Sequence, residues 1–196
     1  DNATTVTSLL QIRRNTDTAD ETTPLILDKG DLEIVSVVAG GMVLLPEEYE
    51  SGKDFLKIIR TPDVFDLEIV CILKPQDNTS LEGLYKSGDI FCTQCEAQGF
   101  RKITPYLDRP DVMSVFSCTI IADRSKYPLL LSNGNLVKQG TLDNNRHYVR
   151  WEDPFKKPAY LFALVAGNLD FIEDSFTTMS GKNVTLRIYV ESKDID

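Results

Sequence analysis

Residues Cys92 to Arg101 read Cys-Thr-Gln-Cys-Glu-Ala-Gln-Gly-Phe-Arg. Gln94 and Glu96 stand at alternate positions inside a segment that otherwise reads as buried strand. A carboxylate in such a place costs free energy unless a cation meets it. Glu96 is therefore a candidate ligand-binding residue, with Gln94 beside it on the same side. Cys92-x-x-Cys95 invites two other readings. A zinc site needs four ligands, and Cys71, Cys118 and His147 stand at no recognised spacing to complete one. A thioredoxin-like pair needs the start of a helix after a parallel strand, whereas the surroundings here read as antiparallel β. Two cysteines packed on one side of a bend is the simpler expectation.

The rest of the chain offers little catalytic equipment. His147 is the only histidine and lies in an alternating strand, so it is expected at a surface or an edge. Asp108-Arg109-Pro110-Asp111 reads as an ion-paired turn that starts the next strand. The glycines are scattered through turns and form no phosphate loop.

Short β-rich stretches would have to position Gln94 and Glu96. Turn signals recur at Lys29-Gly30, Gly40-Gly41, Ser51-Gly52, Ser87-Gly88-Asp89, Asn133-Gly134, Asn144-Asn145 and Ser180-Gly181-Lys182. Between them lie runs rich in Val, Ile, Leu, Thr, Tyr and Phe. Thr5 to Arg13 puts Val6, Leu10 and Ile12 on one face. Asp31 to Val38 and Met42 to Leu45 pair across Gly40-Gly41. Phe55 to Ile59, Phe65 to Leu73, Leu169 to Phe176 and Val184 to Val190 are further strands. Asp111 to Tyr127 fits both periods, but its β-branched residues and lack of strong helix formers favour a strand carrying Val112, Phe116, Cys118, Ile120 and Ala122 inward. Short helices are expected only around Glu96 to Lys102 and Thr104 to Leu107. Without long amphipathic helices, no parallel βαβ architecture is available. The fold class is all-β and antiparallel, as one domain over residues 1–196.

Composition narrows the partners. The 196 residues carry a net charge of −9, which argues against a phosphate backbone as ligand. No apolar run approaches the roughly 18 residues of a membrane span. Four cysteines are too few for a disulfide scaffold of this size, so they are read as reduced and the compartment as cytoplasmic. The first residue is not Met and no signal peptide follows it, which is expected of an excised or processed fragment.

The motif and its neighbours carry a resemblance. Thr93-Gln94-Cys95-Glu96 with Gly99-Phe100-Arg101 resembles the N-terminal domain of the bacterial aminopeptidase N family, gluzincin-type zinc metallopeptidases. Asn78 to Tyr85, Asp108 to Val112, Tyr127 to Asn135, Trp151 to Phe155 and Tyr160 to Gly167 are similar to the same branch. The likeness is dense from about Asn78 to Val190 and thinner before. It implies a saddle-shaped, β-rich domain capping a thermolysin-like catalytic domain. It further implies that Gln94 borders the pocket for the first side chain, and that Glu96 binds the free α-ammonium of a peptide. The family's Gly-Ala-Met-Glu-Asn and H-E-x-x-H motifs, its third zinc ligand and its catalytic Tyr are absent from this chain. So, by the same comparison, is an opening strand before Asp1. The resemblance thus implies a substrate-binding domain with no catalytic residue and no metal ligand of its own, inactive alone, whose partners are the peptide N-terminus and a catalytic domain holding zinc.

Two rivals remain at this level. A non-catalytic β-sandwich that binds a protein or glycan fits composition and turn spacing equally well. A zinc or redox module using Cys92 and Cys95 is the other.

Overall fold

The computed structural model describes residues 3–195; Asp1, Asn2 and Asp196, the ends of the expected domain span, lie outside the described residues. Sixteen strands form among these residues, and every pairing is antiparallel. Among the described residues no helix reaches seven residues, so the fold is all-β.

The N-terminal half is two sheets around one core. Strand β1 (Thr4–Arg13) alternates buried-side Val6, Ser8, Leu10 and Ile12 with exposed neighbours, the period-two pattern of a half-buried strand. It pairs with β7 (Val64–Leu73), which pairs with β3 (Glu33–Ala39) and, across Gly40-Gly41, β4 (Met42–Val43). Gly40 and Gly41 have φ of 57° and 81°, values that suit glycine and match the twist of a tight hairpin. The second sheet joins β2 (Leu25–Asp28), β6 (Phe55–Ile58) and β5 (Tyr49–Ser51). Leu27, Val37, Leu56, Ile58, Leu67 and Ile69 fill the space between the two sheets.

Two more sheets follow. One runs β11 (Leu129–Ser132), β14 (Leu164–Gly167), β9 (Ile90–Gln94), β8 (Gly83–Ser87); the other runs β10 (Met113–Asp123), β13 (Arg146–Pro158), β12 (Asn135–Leu142). Ile120, Tyr127, Leu130, Val149 and Ala166 form their shared core. The ambiguous segment is the strand β10, with Phe116, Cys118, Ile120 and Ala122 inward. Ser114 interrupts that face and accepts a hydrogen bond from the Tyr106 hydroxyl at 2.8 Å, which satisfies the polar group where it is partly buried. A last pair, β15 (Asp170–Thr177) and β16 (Asn183–Val190), forms a separate hairpin.

A third core cluster ties the halves together. It unites Leu32, Cys71 and Leu73 of the first half with Leu84, Cys95, Phe100, Ile103, Tyr106 and Ala159 of the second. The expected helix over Thr104 to Leu107 does not form. Pro105 supplies no N–H and disfavours a helical Thr104, and Tyr106 instead bridges Asp28, with the backbone bonds Asp28 N to Tyr106 O at 2.8 Å and Tyr106 N to Asp28 O at 3.0 Å. The expected helix over Glu96 to Lys102 shrinks to a turn followed by a single 3₁₀ turn, Phe100–Lys102. His147 lies on β13, the central strand of its sheet, where its Nε2 meets the Tyr127 carbonyl at 2.8 Å. It is half-buried and structural, not an edge residue.

Candidate functional site

Strand β9 delivers the motif. Its last residue, Gln94, pairs with Gly83 of β8, and Cys92 pairs with Val165 of β14. The Thr93 hydroxyl accepts the backbone N–H of Leu164 at 2.8 Å, which fastens the strand end to β14. Beyond Gln94 the chain turns, and Gly99 N donates to Cys95 O at 2.8 Å.

Alternation holds through the turn, but the burial expected for the polar pair does not. Cys95 is the inward residue, 2% exposed, whereas Gln94 and Glu96 are exposed on the opposite side. The strand ends at Gln94, so no sheet covers Glu96. Its carboxylate is therefore open to water. Gln94 Nε2 donates to the Glu96 carbonyl at 3.3 Å, a local tie within the turn. The Glu96–Ala97 peptide bond is cis.

Below the exposed turn the anchoring is dense. Phe100 sits at the centre of an aromatic group, with ring centroids 5.0 Å from Tyr106, 5.3 Å from Phe162 and 5.8 Å from Phe116. These are edge-on arrangements that aromatic quadrupoles favour. Gly99 packs so closely that a side chain there meets the Gln94 carbonyl oxygen and the Cys95 Cα. Arg101 is the polar anchor. Its backbone N and Nε both donate to Asp108 Oδ2 at 3.1 Å, and Nη2 donates to the Asp108 carbonyl at 3.0 Å. Its Nη1 lies 3.2 Å from Asp28 Oδ1. Asp108, 2% exposed, closes the circuit by donating its N–H to Asp28 Oδ2 at 3.1 Å. Asp108 thus pairs with Arg101, and the expected ion-paired turn is reduced to Arg109 and Asp111, 2.8 Å apart and exposed.

The network holds together two loops, and between them lies an open depression of about 260 Å³ lined by Glu96, Ala97, Gln98, Pro110 and Tyr160. Gln98, Pro110 and Tyr160 were not singled out from the sequence. Each lies within or beside a motif noted there, but nothing in the spacing places Pro110 and Tyr160 against Glu96.

Cys71 and Cys95 lie in the core and Cys118 packs against it, whereas Cys92 is half-buried on the strand and does not share the buried side of Cys95. Burial, and then the charge of Asp108, push the Cys95 thiol up to about 12. Burial pushes Cys71 up to about 11. Thiols that resist ionisation are poor nucleophiles and poor metal ligands. All four cysteines are free, and no three His, Cys, Asp or Glu side chains among the described residues converge to hold a metal ion. Zinc does not fit the residues present.

Fold and site together define an all-β antiparallel domain that displays an exposed Gln–Glu pair on a rigidly anchored turn. The profile of the Peptidase M1 N-terminal domain matches residues 3–161, and the chain belongs to that family. It is 54% identical over 173 residues to aminopeptidase N of Escherichia coli K12, covering 88% of this chain and 20% of that protein. It is 49% identical over 188 residues to aminopeptidase N of Caulobacter vibrioides, covering 96% of this chain and 21% of that one. Among solved structures, aminopeptidase A of Legionella pneumophila, in complex with aspartic acid, superposes with a TM-score of 0.92 at 34% identity, over 96% of this chain and 22% of that chain. An M1 zinc metallopeptidase from Deinococcus radiodurans shares the fold, with a TM-score of 0.77 at 14% identity over 96% of this chain and 43% of its own. The chain spans about a fifth of the length of the curated relatives it matches.

Proposed function

We propose that this chain is the N-terminal, substrate-binding wall of a zinc aminopeptidase that removes N-terminal residues from peptides. Glu96 meets the free α-ammonium, and Gln94 borders the pocket for the first side chain. An exopeptidase must measure distance from the chain end. A carboxylate facing the ammonium does so through charge-assisted hydrogen bonds, since an internal peptide bond offers no cation at that point. The zinc and the groups that act on the scissile bond belong to the remainder of the polypeptide, so the isolated chain does not hydrolyse peptides. The cytoplasm is the proposed compartment.

The observation that carries this reading is the turn itself. Glu96 projects its carboxylate from a turn fixed by Phe100, Gly99 and the Arg101–Asp108 pair, beside an open depression. Membership of the M1 N-terminal family and identity to two bacterial aminopeptidases N support the assignment. A protein- or glycan-binding sandwich has no such support.

The test is Glu96→Ala in the full-length protein. Removing one partner of a charge pair that becomes buried on binding costs about 2–5 kcal/mol, a loss of roughly 30- to 4,000-fold in kcat/KM. Unchanged kcat/KM toward aminoacyl substrates would sink the role given to Glu96. Turnover by the repurified 196-residue chain with added zinc would sink the division of labour.

A further inference from the structure

The depression beside Glu96 has a wall that the motif does not supply. Tyr160 stands in the 3₁₀ turn Ala159–Leu161, and the residues around it are fastened. Ala159 is 1% exposed, in the core that joins the two halves. Phe162 N donates to Ala159 O at 3.0 Å, and the Phe162 ring packs 5.3 Å from Phe100 and 6.2 Å from Phe116. The Asn133 side chain grips the strap on either side of Phe162. Its Nδ2 donates to Leu161 O at 3.1 Å, and its Oδ1 accepts from Ala163 N at 2.7 Å. Ser132 Oγ adds a bond to Ala163 O at 2.8 Å.

Tyr160 does none of this holding. Among the described residues its side chain takes part in no hydrogen bond or ring pair, and it packs into none of the core clusters. It is half-buried and lines the depression with Glu96. A large aromatic side chain stabilises a fold by burying its area. One carried on a fixed strap and left out of the core is free to meet a ligand.

The chemistry of the wall says which ligand. Glu96 is the one charged group that lines the depression; Ala97, Gln98, Pro110 and Tyr160 complete it. A carboxylate and an aromatic ring in one open depression, with no cation of their own, suit an organic cation. The carboxylate supplies charge, and the ring quadrupole attracts the same cation without a second anion to desolvate. Phe100 follows Glu96 in its motif and packs on Phe162, the strap residue near Tyr160. The core therefore holds the carboxylate and the ring at a fixed spacing.

We propose that Tyr160 is a further substrate-binding residue whose ring holds the α-ammonium of a peptide together with Glu96, an inference that rests on the function proposed above. Cleavage of the peptide bond leaves the charge of the ammonium unchanged. The ring thus holds bound substrate and transition state alike, and its loss appears in KM rather than in kcat.

The test uses the full-length protein and aminoacyl substrates whose only cation is the α-ammonium. Tyr160→Leu, which keeps apolar bulk and removes the ring, is expected to raise KM about 3- to 30-fold, with kcat changed less than about 2-fold. Tyr160→Phe, which restores the ring without the hydroxyl, is expected to recover most of that loss. The thermal midpoint of Tyr160→Leu is expected to stay within about 2 °C, since the side chain belongs to no core cluster. Leu161→Ser, exposed on the same strap and off the wall, is the control and leaves KM within about 2-fold. An unchanged KM in Tyr160→Leu overturns the inference. So does an equal rise in Tyr160→Leu and Tyr160→Phe, which assigns the effect to the hydroxyl, and so does a rise shared with Leu161→Ser or joined to a lower midpoint, which assigns it to the strap. Glu96→Ala is assayed alongside. If it loses kcat/KM while Tyr160→Leu does not, the inference falls and the role of Glu96 stands; if only Tyr160→Leu is impaired, the ring keeps its part and Glu96 loses its own. An unsubstituted full-length protein without peptidase activity removes both.

Discussion

Asp108→Ala is the perturbation on which the rigidity of the site depends. Asp108 is 2% exposed and Arg101 is 22% exposed at its side chain. Deleting the carboxylate removes two acceptor bonds, from Arg101 N and Nε. Arg101 keeps the Asp108 carbonyl at 3.0 Å and the Asp28 carboxylate at 3.2 Å. Breaking a buried pair from one side costs 3–5 kcal/mol, and the surviving partners put this case near the bottom, at about 3 kcal/mol. For a domain of this size a loss of that order lowers the melting midpoint by about 6–12 °C.

The control lies in the same loop. Arg109 and Asp111 are also paired, at 2.8 Å, but their side chains are 61% and 68% exposed. Surface pairs of this kind contribute little, so Asp111→Ala is expected to leave the midpoint within about 2 °C. Thermal melts of both variants, followed by near-ultraviolet circular dichroism, make the comparison. The reasoning fails if Asp108→Ala melts with Asp111→Ala, because burial would then not be what distinguishes the two pairs.

Two other outcomes follow from the same turn and its core. Gly99→Ala places a methyl against the Gln94 carbonyl oxygen and Cys95 Cα, backbone atoms that cannot rotate away; it is expected to cost about 1–3 kcal/mol in urea titration, and wild-type stability would show that the turn is looser than its packing implies. Alkaline stability is set in part by Cys95 and Cys71, whose folded pKa values are raised to about 12 and about 11 from 9.0. The sign is that of a group whose neutral form the fold prefers: the contribution is full below pH 9.0, and is lost as pH climbs through the raised values, because the unfolded chain releases the protons first. Urea midpoints measured from pH 8 upward are expected to fall above about pH 9, and to fall less in a Cys71→Ala, Cys95→Ala variant; equal slopes in both proteins would refute the assignment.

Local pattern was legible wherever one face alone decides. β10 shows this best: both periods fit its sequence, and its β-branched residues with the lack of strong helix formers settle it as a strand with the expected inward face. The C-terminal hairpin was equally readable from its alternation and its turn. Burial of Glu96 was not. Alternation says that Gln94 and Glu96 share a side, but which side faces water depends on where β9 stops and on what β8 and β14 cover. Those are contacts with residues far away in the chain. The Arg101 node was hidden for the same reason. Arg101 and Asp108 both stood in visible motifs, yet Asp111, two residues beyond Arg109, competes for the role of partner, and Asp28 lies more than seventy residues upstream of Arg101. The short helix over Thr104 to Leu107 failed because a tertiary bridge to Asp28 outbid a weak local preference that Pro105 already opposed.

Exposure of Glu96 also bears on how a recognition wall can work. A carboxylate in water holds an ammonium by little more than a surface ion pair, about 0–1 kcal/mol. Discrimination of a free N-terminus from an internal peptide bond needs several times that. The difference cannot be built into the turn, because any burial that strengthened the pair would charge the empty domain for an unpaired carboxylate. On the proposed function it comes from a surface that closes over the depression, which would lower the local dielectric only when the ammonium is present to share the cost. On the proposed function, the fold keeps Glu96 solvated and fixed in direction, and leaves desolvation to the partner wall. Rigidity is then the contribution this domain makes, through Phe100, Gly99 and the buried Arg101–Asp108 pair, which follow Glu96 in the same motif and fix the turn that carries it.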